Sequence, residues 1–172
     1  MASSAPELSP RAREIVETAR GLLEAEGPEA LSMRRIAHAL GIKAPSLYKH
    51  LPDKRALEAA LIAHGFEEIA TAFAGAGDLA AVAAAYRAYA NDHPHLYRLM
   101  TEGPLERERL EPGVETRAAA AIVAAAGGDE HTARAAWAFA HGMTILELDG
   151  RFPRGADLDA AWAAGIAAFD PR

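Results

Sequence analysis

An all-α fold of nine helices is what this sequence predicts, and three observations carry the expectation. Apolar residues recur at helical spacing in one stretch after another. The stretches are separated by Gly, Pro and Asp positions that stop or start helices. The hydrophobic fraction is 51%, much of it alanine, the best helix former and a weak filler of volume. No stretch reads as a strand.

Residues 1–9 are small and polar, with Pro6, and are expected to be disordered. The first helix spans about Pro10 to Glu26, where Ile15, Val16, Ala19, Leu22 and Leu23 form one stripe. Gly27-Pro28 ends it. Ser32 then caps a short helix whose Ile36, Ala37 and Leu40 face inward. Gly41 supplies the left-handed turn that a helix end often needs, and Pro45 opens the next helix. Its Leu47 and Leu51 point inward, while Ser46, Tyr48, Lys49 and His50 point out. Ile15, Val16, Leu22, Ile36, Leu40, Ile42 and Leu47 are expected to close a small core.

Asp53 caps a fourth, longer helix carrying Leu57, Ala60, Leu61, His64, Ile69 and Phe73, which ends near Gly75. It is the natural link between a head and a body. Asp78 starts the next helix, stopped at Asn91 to Pro94, and Pro94 starts a short one. Residues 105–112 are charged and expected to be exposed. Further helices cover about Val114 to Ala126, then from Asp129 through Leu148, and finally from Asp157 to the end. In the penultimate helix Ala136, Trp137, Ala140, Met143, Thr144 and Leu148 are expected on one face. Residues 150–156 form a loop.

Charge divides the chain. Net charge is −6 over the 172 residues, yet residues 1–55 hold nine Lys/Arg against seven Asp/Glu, and residues 56–172 hold nine against seventeen. Arg34, Arg35, Lys43, Lys49, Lys54 and Arg55 cluster around the two short helices. A local basic face on an acidic chain is the footprint of nucleic-acid binding. Domains are therefore expected at 10–55, a helix-turn-helix DNA-binding domain, and 56–172, a separate acidic helical body. The absence of cysteine excludes disulfides and thiolate chemistry. With no run of 18 apolar residues and no signal-peptide pattern at the start, a cytoplasmic protein without a membrane segment is expected.

Residues 10–65 resemble the DNA-binding domain of the tetracycline-repressor (TetR) family of bacterial regulators. The likeness is carried by Leu31-Ser32-Met33-Arg34-Arg35-Ile36-Ala37, by Leu40-Gly41-Ile42, and above all by Pro45-Ser46-Leu47-Tyr48-Lys49-His50-Leu51, with Lys54-Arg55-Ala56-Leu57 after the break. Trp137, His141 and Gly142 look like the Trp-His-Gly type of TetR C-terminal domain, and residues 93–100 resemble its short helix. The resemblance implies a homodimeric repressor that binds a palindromic double-stranded DNA operator and is released by a small-molecule effector. No catalysis, cofactor or metal is expected, since no HExxH pattern or cysteine cluster is present.

By the same resemblance, Ser32 lies near a phosphate and Arg34 reaches a base. Lys43, Ala44, Pro45, Ser46, Tyr48, Lys49 and His50 line the recognition helix, with Tyr48, His50 and Lys54 as phosphate anchors. Ala44 departs from relatives that carry a polar base-reading side chain there, which leaves apolar contact with a thymine methyl. Effector candidates are Phe73, Tyr86, Tyr89, His93, Tyr97, Met100, Trp137, His141 and Met143, whose rings and thioethers offer apolar surface with histidine handles. Ala136, Ala140, Leu158, Ala161, Trp162 and Ile166 are the expected dimer face. The alternative is a metal-binding or metal-responsive helical protein using His93, His95 or His141, although no HExxH pattern supports one.

Overall fold

A computed structural model describes residues 8–169, so most of the stretch expected to be disordered lies outside the described residues. Nine α-helices and no strand are found among them: α1 (Pro10–Glu26), α2 (Met33–Ala39), α3 (Ala44–Leu47), α4 (Lys54–Ala72), α5 (Leu79–Asp92), α6 (Pro94–Thr101), α7 (Val114–Ala125), α8 (Glu130–Leu148) and α9 (Leu158–Ala167). Short 3₁₀ turns cover Pro28–Ala30 and Arg107–Arg109.

The caps explain the boundaries. Ser9 Oγ accepts from the Ala12 N–H and Ser32 Oγ from the Arg35 N–H, both at 3.2 Å. Aspartates do the same for later helices: Asp53 accepts from Ala56 at 2.7 Å, Asp78 from Ala81 at 2.8 Å, and Asp157 from Ala160 at 2.9 Å. Gly41, with φ 65°, closes α2 in a Schellman arrangement: the Ile42 N–H reaches the Ala37 carbonyl and the Gly41 N–H the His38 carbonyl.

Packing groups the described residues into two compact units, 8–66 with 93–115, and 67–92 with 116–169. The sequence suggested a break at 55/56. Instead the first part of α4, all of α6 and the segment after α6 belong with the three N-terminal helices.

In the first unit, Ile15, Val16, Ala19, Leu23, Ile36, Leu47, Leu51, Leu57 and Leu61 are buried. Leu23 rather than Leu22 takes the central place on α1, and Leu40 and Ile42 sit at the edge, only half-buried. Glu24 of α1 accepts the Leu96 N–H at 2.9 Å, satisfying an orphan donor in the first turn of α6. Gly65 of α4 is buried against the Met100 side chain of α6. The charged segment 105–112 is not exposed throughout. Leu110 is buried, and with Leu105 and Val114 it packs on Ala59, Ile62, Ala63 and Phe66 of α4.

The second unit is built from α5, α8 and α9, with the end of α4 and most of α7. Leu79, Val82, Tyr86, Ala90, Ala133, Ala136, Ala140, Trp162 and Ile166 are buried. Arg87 donates to Glu147 at 2.8 and 2.9 Å and to Asp159 at 2.6 Å. Its guanidinium also lies 5.6 Å from the centre of the Trp162 ring. The Arg87 hydrogen bonds hold the Glu147 carboxyl below its ordinary value of 4.5, against the opposing effect of its own partial burial.

Gly165 lets α9 press on α8. A Cβ there would collide with the Phe139 ring, lying 2.7 Å from Cε1 and closer still to Cζ. Phe139 in turn meets Trp162 edge-on at 5.9 Å, so the ring cannot move freely. Gly165→Ala is therefore expected to destabilise the protein by about 1–3 kcal/mol, less the helix-propensity gain, as measured by urea unfolding. Phe139→Leu should partly restore the loss. An unchanged midpoint for Gly165→Ala would contradict this packing.

Candidate nucleic-acid interface

Leu47 decides how the short α3 is presented. It is fully buried, and Leu51 is 3% exposed, so the turn between them is pinned to the core at both ends. The intervening residues 48–50 continue as turns, and the His50 and Leu51 N–H groups both reach the Leu47 carbonyl at 2.9 Å. With the leucines inward, Pro45, Ser46, Tyr48, Lys49 and His50 are exposed, and Ala44 is half-buried. Tyr48 is 50% exposed, a large aromatic side chain left facing outward.

At the start of α2 two neighbouring arginines have different environments. Arg35 is tied to Glu26 of α1, donating from Nε at 3.0 Å and also from Nη2. That hydrogen bond raises the Arg35 pKa and lowers that of Glu26. Arg34 is exposed and takes part in no ion pair among the described residues, and the same holds for Lys43 and Lys49. Lys54 lies 3.4 Å from Glu58 along α4. Ser32 uses its oxygen lone pair to cap α2, and its hydroxyl proton remains free to donate.

All ten residues expected at DNA thus lie in the first unit, from the start of α2 to the start of α4. Together they offer cations, hydroxyls, an imidazole and a phenol. Groups of these kinds suit phosphate oxygens and, for an arginine, the bidentate edge of guanine.

The effector candidates are divided between the units. Phe73 and Tyr86 stack at 6.3 Å in the second unit, where the Tyr89 hydroxyl donates to Glu68 at 3.0 Å. His93, Tyr97 and Met100 belong to the first. Trp137 is 49% exposed, so it does not share the buried face of Ala136 and Ala140, and it stacks on His141 at 6.1 Å. Met143 is half-buried. A cavity of about 390 Å³ in the second unit is lined by none of the nine. Its walls are mainly Leu79, Ala83, Arg87, Trp162 and Ile166.

Four of the six residues expected at the dimer face point into their own chain: Ala136 is 1% exposed, Ala140 4%, Trp162 5% and Ile166 6%. Ala161 is exposed and Leu158 half-buried. As for metal, no group of three or more His, Asp or Glu able to hold an ion occurs among the described residues. His93 stands at the N-cap position of α6 without a side-chain capping hydrogen bond, and the His95 ring lies near Gly27.

An acidic chain with a buried-leucine, basic-faced helix-turn-helix belongs to the class of helix-turn-helix DNA-binding proteins. Residues 15–61 match the family described as bacterial regulatory proteins, tetR family, and residues 79–169 match the tetracyclin repressor-like C-terminal domain. This chain belongs to the TetR family of transcriptional regulators. It is 34% identical over 151 residues to an uncharacterized HTH-type transcriptional regulator of Mycobacterium tuberculosis, covering 79% of this chain and 69% of that one. The class C tetracycline repressor of Escherichia coli is 47% identical over 47 residues, 27% of this chain and 22% of the other. Among solved structures, the protein SCO4313 superposes with a TM-score of 0.76 at 26% identity, over 96% of this chain and 98% of the other. A Rhodococcus sp. RHA1 protein of unknown function gives the same TM-score at 24% identity, over 96% and 94%.

The different settings of these cations predict different losses. Arg34→Ala is expected to cost about 1–3 kcal/mol of preference at one base pair while leaving other positions unchanged. Lys54→Ala is expected to weaken binding to all sequences alike and to flatten the salt dependence by about one counterion. Titrations of both variants against single-base operator variants, at several salt concentrations, would separate the two. A sequence-independent effect of Arg34→Ala would contradict its role in reading a base.

Proposed function

We propose that this protein is a homodimeric repressor that binds a palindromic operator and leaves it when a small molecule binds the C-terminal domain. The observation that carries the reading is the outward face of residues 44–50 with Arg34 beside it, cationic on a chain of net charge −6. One such element touches only a few base pairs. A twofold pair would address two half-sites about 34–36 Å apart, or a multiple of that distance.

What supports a dimer is the other side of the last two helices. Ala138, Gly142, Ile145 and Leu146 follow one another at helical spacing on α8 and are exposed or half-buried, and Ala161, Ala164 and Ala168 do the same at α9. Gly142 sits inside α8 with nothing of its own chain within 4 Å of where a Cβ would be. A mid-helix glycine costs about 1 kcal/mol relative to alanine, and close approach by a partner helix gives it a use. The proposed dimer face comprises these exposed and half-buried residues, Ala161 among them.

Release by an effector is supported by two fold relatives whose structures hold small molecules: a TetR variant from Acinetobacter baumannii with minocycline, and the multidrug binding protein EbrR with imidazole. No helix among the described residues is long and apolar enough to cross a membrane, in keeping with action on DNA in the cytoplasm. Selection of bound sequences from a random duplex pool, repeated with candidate ligands, tests the proposal. An enriched palindrome whose recovery falls with one ligand is expected. Recovery of no common sequence would overturn it.

A further inference from the structure

We propose that Glu106 competes with DNA phosphate for Arg55, so that the segment between α6 and α7 sets the sequence-independent part of the DNA affinity. The inference rests on the DNA-binding reading above and adds a residue outside the helix-turn-helix.

Arg55 follows Lys54 at the start of α4, the last cation of the basic run. Its side chain is exposed, and its Nη2 is hydrogen-bonded to Glu106 Oε1. The other oxygen of Glu106 takes Arg109 Nε at 2.7 Å, and Arg109 also approaches Asp53, the α4 cap, at 3.8 Å. Glu106 therefore bridges two arginines.

An isolated exposed ion pair is weak, because two flexible side chains must be ordered to make it. Here the backbone that carries Glu106 is already in place. Leu105, Leu110 and Val114 bury themselves against Ala59, Ile62, Ala63 and Phe66 of α4, on both sides of the carboxylate in sequence. Apolar packing delivers the charge to Arg55, and the ion pair does not have to hold the segment.

A carboxylate and a phosphate ask the same thing of a guanidinium, two oxygens for two N–H groups. Binding to DNA is driven by the counterions that each neutralised phosphate releases. An arginine already neutralised by Glu106 contributes little to that release, and the carboxylate adds a like charge beside the backbone. Arg34, Lys43 and Lys49 carry no such partner, so base reading and the remaining phosphate contacts stay intact while general affinity is lowered.

The test is Glu106→Gln, which keeps the size and one oxygen, removes the charge and turns the other oxygen into an NH2 donor that a guanidinium cannot pair with. Binding of a labelled mixed-sequence duplex is followed by anisotropy across a salt series. The variant is expected to bind about 3–10-fold more tightly at low salt, with a log–log salt slope steeper by about one. In an Arg55→Ala background the same change is expected to have a much smaller effect, that of removing the like charge alone. Unchanged affinity for Glu106→Gln would overturn the proposal, as would an equal gain without Arg55, which would make Glu106 a general repeller. Wild-type protein that binds no duplex at all would instead overturn the DNA-binding reading on which it rests.

Discussion

The outward face of the helix-turn-helix depends on the burial of one side chain. A four-residue helix has no stability of its own, since nucleation alone outweighs what so few backbone bonds return. The α3 helix persists because Leu47 is fully buried, as are Ile15 and Ile36 of the same unit, with Leu51 closing the turn that follows. Fixing Leu47 inward sends Ser46, Tyr48, Lys49 and His50 outward without any further interaction. The half-exposed Tyr48 ring and the exposed cations follow from that single constraint.

Electrostatics then sorts the basic cluster. Proximity in sequence put six cations together, but they have different uses. Arg35 is spent inside the fold on Glu26, and Arg55 is held by Glu106. Arg34, Lys43 and Lys49 remain exposed, and Lys54 is engaged only along its own helix. An acidic protein gains from gathering exposed cations in one place, and Arg34, Lys43, Lys49 and Lys54 all fall between the start of α2 and the start of α4.

Much of this was legible in the sequence because it is written in residues with strong local preferences. Ser32, Asp53, Asp129 and Asp157 each cap the helix they were expected to start, and Gly41 has the positive φ its place demanded. Two features were hidden. Leu105 and Leu110 sit in a charged run without helical period, and only packing against α4 reveals them as anchors. On α8 and α9 alanine occupies every side, so periodicity cannot tell a face turned to the chain's own core from one left for a partner. Ala136, Ala140, Trp162 and Ile166, expected at a partner, therefore lie inward, while Trp137, expected on the face of Ala136 and Ala140, lies outward. For the effector pocket the sequence offered only residue types, and aromatic rings on helices fill cores as readily as they line sites.

The account stands or falls on the heads being read in pairs. Native mass spectrometry of the protein with a duplex carrying its selected site tests this most directly. Two chains per duplex on the full palindrome, with binding lost on a single half-site, is the predicted result. One chain bound equally well to either duplex would contradict it.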